Sequence, residues 1–195
     1  MTQKKKSPST ITGFYIILSL IFTIEAISCQ HSYAGTTRPE LVSSMTDAIV
    51  ADDVKAIQAL LKHGLAVNTT GYRRSTFLMM ASTTGNAQIA TVLLNAGAKV
   101  NLKDIQGTTA LMDAITMDHT DVAKVLLRHG ADVNAQDKDG STALMLAAYG
   151  GDTNMIRALL AAKANPRIKD ANGFTATTWA LQGKHIGAIQ LLQHR

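Results

Sequence analysis

Residues Asp104–Gln136 read DIQGTTALMDAITMDHTDVAKVLLRHGADVNAQ, and the pattern of this stretch returns on both sides of it at a spacing of 33 residues. Leu78, Leu111 and Leu144 stand in register, as do Ala81, Ala114, Ala147 and Ala180. Gly64, Gly97 and Gly130 form a third row, and Asn68, Asn101 and Asn134 a fourth. A fixed period of this length is the signature of a solenoid, in which one supersecondary unit is stacked on copies of itself.

Within the unit each position has a physical reason. Asp104 to Gly107 is turn chemistry, with Asp at the start and Gly at the end. Thr109 is placed to cap a short helix by accepting a bond from an orphan backbone N–H. Leu111, Ala114 and Ile115 recur at three and four residues and share one helical face. A second helix is expected after His119, with Val122, Ala123, Val125, Leu126 and Leu127 apolar. Gly130 should end it in the left-handed conformation. One unit cannot bury its own apolar face, so stacking must supply the core.

The run TxLxxA, then LL, then GADVN, at this period, resembles the ankyrin repeat. The resemblance implies an all-α repeat solenoid of about five ankyrin repeats: paired antiparallel helices joined by β-hairpin loops. The repeats fall at about 36–69, 70–103, 104–136, 137–169 and 170–195, a domain spanning 35–195. Two family positions differ here. Pro after the capping Thr is replaced by Phe77, Ala110, Ala143 and Ala176, and the usual His is Met79, Met112, Met145 or Thr178. The first repeat lacks the Asp-to-Gly turn, puts Met45 in the core Leu position and reads as an N-terminal cap. The fifth has Thr177 for the core Leu, and Gly183 and Gly187 should weaken its helices. Its polar end suits a C-terminal cap.

Residues 1–34 read as a leader. Lys4, Lys5 and Lys6 precede the apolar run Phe14–Ile24, which is short for the roughly 20 residues of a membrane span and suits a secretory signal. Ser32-Tyr33-Ala34 offers cleavage after Ala34. Ala26-Ile27-Ser28-Cys29 offers a lipobox that would leave lipidated Cys29 first, and residues 11–27 offer an uncleaved anchor. All three put the repeats outside the cytoplasmic membrane, in a periplasmic or secreted location, because the lysines stay inside. Cys29 is the one cysteine, so the repeats hold no disulfide, no thiol nucleophile and no Cys-ligated zinc.

The formal charge is +5, but from Gly35 onward 16 basic and 13 acidic residues leave +3, too little and too scattered to argue for nucleic acid. No G-x-S-x-G, H-E-x-x-H or phosphate loop occurs, and no catalytic, metal or cofactor constellation is identified. Asp137-Lys138-Asp139-Gly140 reads as a turn rather than a calcium loop, since Ala135 and Leu146 stand where acids are required. His63 and His129 sit where they can bond the last carbonyls of a helix. His119 and His185 are expected to tie the loop before the second helix. The methionines read as core filling, with Met117 the best candidate for exposure. Trp179 reads as core or cap.

The resemblance implies a monomer that binds a protein partner in a concave groove of hairpin tips and inner helices. Carried over position by position, the groove residues are Tyr72, Arg73 and Ser75, then Ile105, Gln106 and Met117. Lys138, Asp139, Tyr149 and Phe174 follow, flanked by Thr83, Thr84, Thr108, Thr116, Ser141, Ala171 and Asn172. Tyr72, Arg73, Tyr149 and Phe174 are residue types that dominate interfaces, and Ile105 at a solvent-facing tip is a further expected anchor. A periplasmic adaptor, chaperone or inhibitor, or a secreted effector acting on a host protein, fits this reading. A small-ligand or enzymatic groove has no supporting residues.

Overall fold

The computed structural model of the chain describes residues 39–193. All three leader readings lie outside the described residues. The helices pair as inner and outer members of five repeats. These are α1 (Pro39–Val50) with α2 (Val54–Lys62), α3 (Phe77–Thr84) with α4 (Ala87–Asn95), and α5 (Ala110–Thr116) with α6 (Thr120–Arg128). The last two pairs are α7 (Ala143–Gly150) with α8 (Thr153–Ala161), and α9 (Ala176–Gly183) with α10 (Ile186–Gln193). Inner helices pack on inner helices in chain order. Among the outer helices α6 and α8 are the least closely associated neighbours. The hairpins are reduced to single antiparallel bridges, Thr70 to Thr76, Lys103 to Thr109 and Gln136 to Thr142.

Local chemistry sets the helix starts. Thr76, Thr109 and Thr142 accept from the N–H of Met79, Met112 and Met145 at 3.2, 3.4 and 3.3 Å. In the second repeat the Met79 sulfur also accepts from the Thr76 N–H at 3.4 Å, closing the capping box with a methionine. The row then breaks, because Thr175 faces the Thr178 hydroxyl instead of capping a backbone N–H.

The methionines fill the core as expected. Met45, Met79, Met112, Met145 and Met155 are buried with Leu78, Leu111, Leu144, Leu93, Leu126 and Leu159. Each buried side chain of this size contributes about 1.5–3 kcal/mol of transfer free energy. No repeat could assemble that cluster alone, since its members come from successive repeats.

Polar side chains fix the stacking register. Asn68 donates to the Gly97 carbonyl at 3.1 Å and accepts from the Lys99 N–H at 2.8 Å. Asn101 repeats this with Gly130 and Asp132, and Asn134 with Lys163 and Asn165. Each Asn thus spends both ends of its amide on the next repeat, which only a planar donor–acceptor group of that length can do.

A second lock uses histidine. The His119 ring lies on Gly85 of the preceding repeat, where an added Cβ would stand 2.5 Å from the ring, and its Nε2 donates to the Thr83 carbonyl at 3.1 Å. His185 lies on Gly151 in the same way. The ring also rests against Gly183, where a Cβ would meet the Tyr149 carbonyl at 2.6 Å. Gly183 is therefore needed for close approach. The expectation that it merely weakens the last repeat is incomplete, and α9 runs through to it. The polar C-terminal cap also needs correction. Leu181 and Ile186 of the fifth repeat are exposed, because no described unit packs against them.

Candidate protein-binding face

The hairpin tips form a continuous edge. Asp104 Oδ1 accepts from the N–H of Gln106 and Thr108 at 2.7 and 2.9 Å. Asp137 holds Asp139 and Ser141 in the same way, and Asp170 holds Asn172 and Phe174. Successive tips are then pinned to one another. The Ile105 N–H donates to the Arg73 carbonyl at 2.9 Å, Lys138 to Gln106 at 2.8 Å, and Ala171 to Asp139 at 2.8 Å. A Cβ at Gly107 would stand 3.0 Å from the Asp137 Cα, so this approach requires the glycine.

The second tip is built differently. Gly71 stands where the other tips have Asp, so no carboxylate organises the turn. Tyr72–Arg74 forms a single 3₁₀ turn, with Arg73 and Arg74 at φ of 55° and 60°. Left-handed conformation in residues other than glycine costs about 1–2 kcal/mol each. The outcome is that Tyr72, Arg73 and Arg74 are all turned outward.

The expected groove residues divide accordingly. Tyr72, Arg73, Gln106, Lys138, Asp139, Tyr149 and Phe174 are exposed, Tyr72 at 53% and Tyr149 at 56%. Ile105 is half-buried rather than solvent-facing, since the bond to Arg73 draws its tip against the preceding one. Met117 is likewise half-buried, turned in as the C-cap residue of α5. Ser75 is half-buried. Ser141, among the flanking positions, is buried, with its N–H on Asp137. Tyr149 stands edge-on to Trp179, ring centroids 5.9 Å apart, and the Trp179 indole N–H donates to Asp170 Oδ2 at 2.9 Å. Burial opposes ionisation of Asp170, but bonds from the Phe174 N–H, Trp179 and the Asn172 N–H outweigh it and lower its pKa.

One residue escaped sequence reasoning. Asp113 occupies the inner-helix position that holds exposed Asp47 in the first repeat and Met80, Leu146 and Trp179 in the second, fourth and fifth. Burial raises its pKa well above the ordinary carboxylate value, and the nearby charge of Asp104 adds to this. An acid flanked in its row by Met80 and Leu146 of the adjoining repeats was the available signal.

Among the described residues no group of three or more His, Cys, Asp or Glu is placed to hold a metal ion. No described helix is long and apolar enough to cross a membrane. The Asp137 turn uses its carboxylate on backbone N–H groups, in keeping with the turn reading. His129 Nδ1 donates to the Val125 carbonyl at 2.9 Å, as its place near the helix end implied.

Comparison with known families gives one match. The family described as ankyrin repeats (3 copies) matches residues 45–137 and 131–195, which cover all five repeats in whole or in part. No curated protein matches the chain. The stacked helix pairs, the pinned tips and this match together make the chain a member of the ankyrin-repeat family, a protein–protein interaction module.

Proposed function

We propose that the chain is exported and acts by holding one protein partner along its hairpin tips and inner helices, as an adaptor, chaperone or inhibitor. The observation that carries this is the tip ladder. Hydrogen bonds between tips fix the backbone, while Tyr72, Arg73, Gln106, Lys138, Asp139 and Phe174 stay exposed along one edge. A pre-organised edge binds with less ordering cost than a mobile one. Aromatic and Arg side chains at its ends are the usual carriers of interface energy. The two left-handed arginines of the second tip strengthen the reading, since strain of this kind is retained where the surrounding structure enforces it, often at ligand-contacting sites. Export rests on the lysines and apolar run of the leader.

Tagged full-length chain, expressed in its own organism, should retain one protein that the Tyr72→Ala/Arg73→Ala variant loses. Retention of the same protein by both would remove the second tip from the site. A partner found only in the growth medium or in a host extract would favour a secreted effector over a periplasmic adaptor.

A further inference from the structure

We infer that the two ends of the repeat array bind one another, the fifth repeat of one copy stacking on the first repeat of a second copy. The family resemblance implied a monomer, and the ends of the array argue otherwise. Rows in the 33-residue register show which side chains face forward, toward the next repeat, and which face back. In one row Ile49, Ser82 and Ala148 are buried and Ile115 is half-buried, but Leu181 is 55% exposed. Cover is lost only at the fifth repeat, so this row faces forward. The row of Thr153 also faces forward, since a Cβ at Gly187 of the next repeat would stand 3.2 Å from the Thr153 Cγ2. Its member in the fifth repeat is Ile186, 71% exposed. A different row faces back. Phe77, Ala110, Ala143 and Ala176 are buried, and only Ser44 of the first repeat is exposed. In a second such row Leu93, Leu126, Leu159 and Leu192 are buried and Leu60 is half-buried.

The two uncovered faces are therefore the two halves of the interface that already holds the array together. A terminal repeat needs a polar outer face to stay soluble alone. The fifth repeat presents Leu181 and Ile186 there instead.

Charge indicates the occupant. Each junction carries one further pair, the left-handed residue that follows an inner helix and the residue just before the next outer helix. Asn86 donates to Asp52 Oδ1 at 3.1 Å, a separation of 34 positions. At the same separation the His119 and His185 rings rest on Gly85 and Gly151. The remaining pair, Asp118 and Asp152, is two acids, and there the outer helices α6 and α8 are the least closely associated. Carried past the fifth repeat, this register sets left-handed Lys184 against Asp53 of a second copy. Both are exposed, and neither is in an ion pair among the described residues. Their surroundings agree. Lys184 is the one Lys, Arg, Asp or Glu among residues 171–193, whereas residues 39–63 hold Glu40, Asp47, Asp52 and Asp53 against Lys55 and Lys62. Joining two first repeats would bring acids to acids, and joining two fifth repeats would leave Lys184 without a counter-charge. The contact is heterologous, so each copy keeps one free face of each kind and copies add in series.

The test places a benzophenone amino acid at Ile186 of the full chain and expresses two differently tagged copies in the native cell. Irradiation should give adducts that carry both tags, and peptide mapping should set the attachment point within residues 40–62 of the second copy. Lys184→Asp should lower this adduct at least fivefold by facing Asp53 with another acid. Adding Asp53→Asn should restore at least half the yield, because it rebuilds the pairing of Asp52 with Asn86. Both variants should fold, since Asp52 and Asp118 hold the left-handed row of Lys184, and Asn86 caps α4 from the position of Asp53. Attachment within α9 or α10 of the second copy, adducts with another protein alone, or no adduct would each overturn the stacking. So would an unchanged yield in Lys184→Asp or no recovery with Asp53→Asn. These readouts lie at the ends of the array, so they can fail while the Tyr72–Arg73 dependence of partner binding stands.

Discussion

Replacing Gly85 by alanine isolates the histidine lock between the second and third repeats. Two costs are expected. Gly85 has φ of 85°, so any Cβ incurs about 1–2 kcal/mol of left-handed strain. The new methyl would also stand 2.5 Å from the His119 ring, which must leave its place and give up its 3.1 Å bond to the Thr83 carbonyl. A lost bond of this kind is worth about 1 kcal/mol, giving roughly 2–3 kcal/mol in all. Gly64→Ala is the control. Its φ is 86°, but nothing lies within 4 Å of the added Cβ, so only the strain remains. The entropic effect of alanine on the unfolded chain is common to both and cancels. With a urea m-value of about 2 kcal/mol/M, the Gly85 variant should have its midpoint about 0.5 M below that of the Gly64 variant. In a His119→Ala background the difference should vanish, as a double-mutant cycle requires of a direct contact. Equal midpoints for the two glycine variants, with unchanged m-values, would refute the lock.

Three further perturbations follow from the same geometry. Lys163 sits at φ of 68° in the row otherwise held by Gly64, Gly97 and Gly130, so Lys163→Gly should stabilise by about 0.5–1 kcal/mol in thermal or urea unfolding, strain relief exceeding the added chain entropy. Asp113 binds its proton more tightly folded than unfolded, so stability should fall as pH rises from the ordinary carboxylate value through its raised one. Asp113→Leu should remove that slope in urea midpoints measured from pH about 4 to 7. Asn101→Ala abandons the Gly130 carbonyl and the Asp132 N–H together and should destabilise by about 1–3 kcal/mol, read as a lower urea midpoint.

The period, the helix pairs and most of the caps were legible because they are set by neighbours in sequence. Thr76, Thr109 and Thr142 needed only a backbone N–H three residues on. What lay between repeats was less so. Ile105 and Met117 look alike in sequence to exposed positions, and their burial depends on how closely the next element approaches. Gly183 read as weakening its helix because its purpose, room for His185 and the Tyr149 backbone, involves a residue of the following turn and one of the preceding repeat. Arg74 stands in register with Gly107, Gly140 and Gly173, which share its positive φ, so its strain comes from arginine in place of glycine, a change visible in the sequence whose consequence is conformational.

The central claim is that partner binding runs along the hairpin edge and inner helices. The most direct measurement is site-specific photo-crosslinking of the full chain in its native cell. A benzophenone amino acid would replace Tyr72 or Phe174 on the edge, or exposed Arg157 on the outer helix α8. The account predicts a single protein adduct from Tyr72 and Phe174 and none from Arg157. An adduct of equal yield from Arg157, or adducts from Arg157 alone, would contradict it.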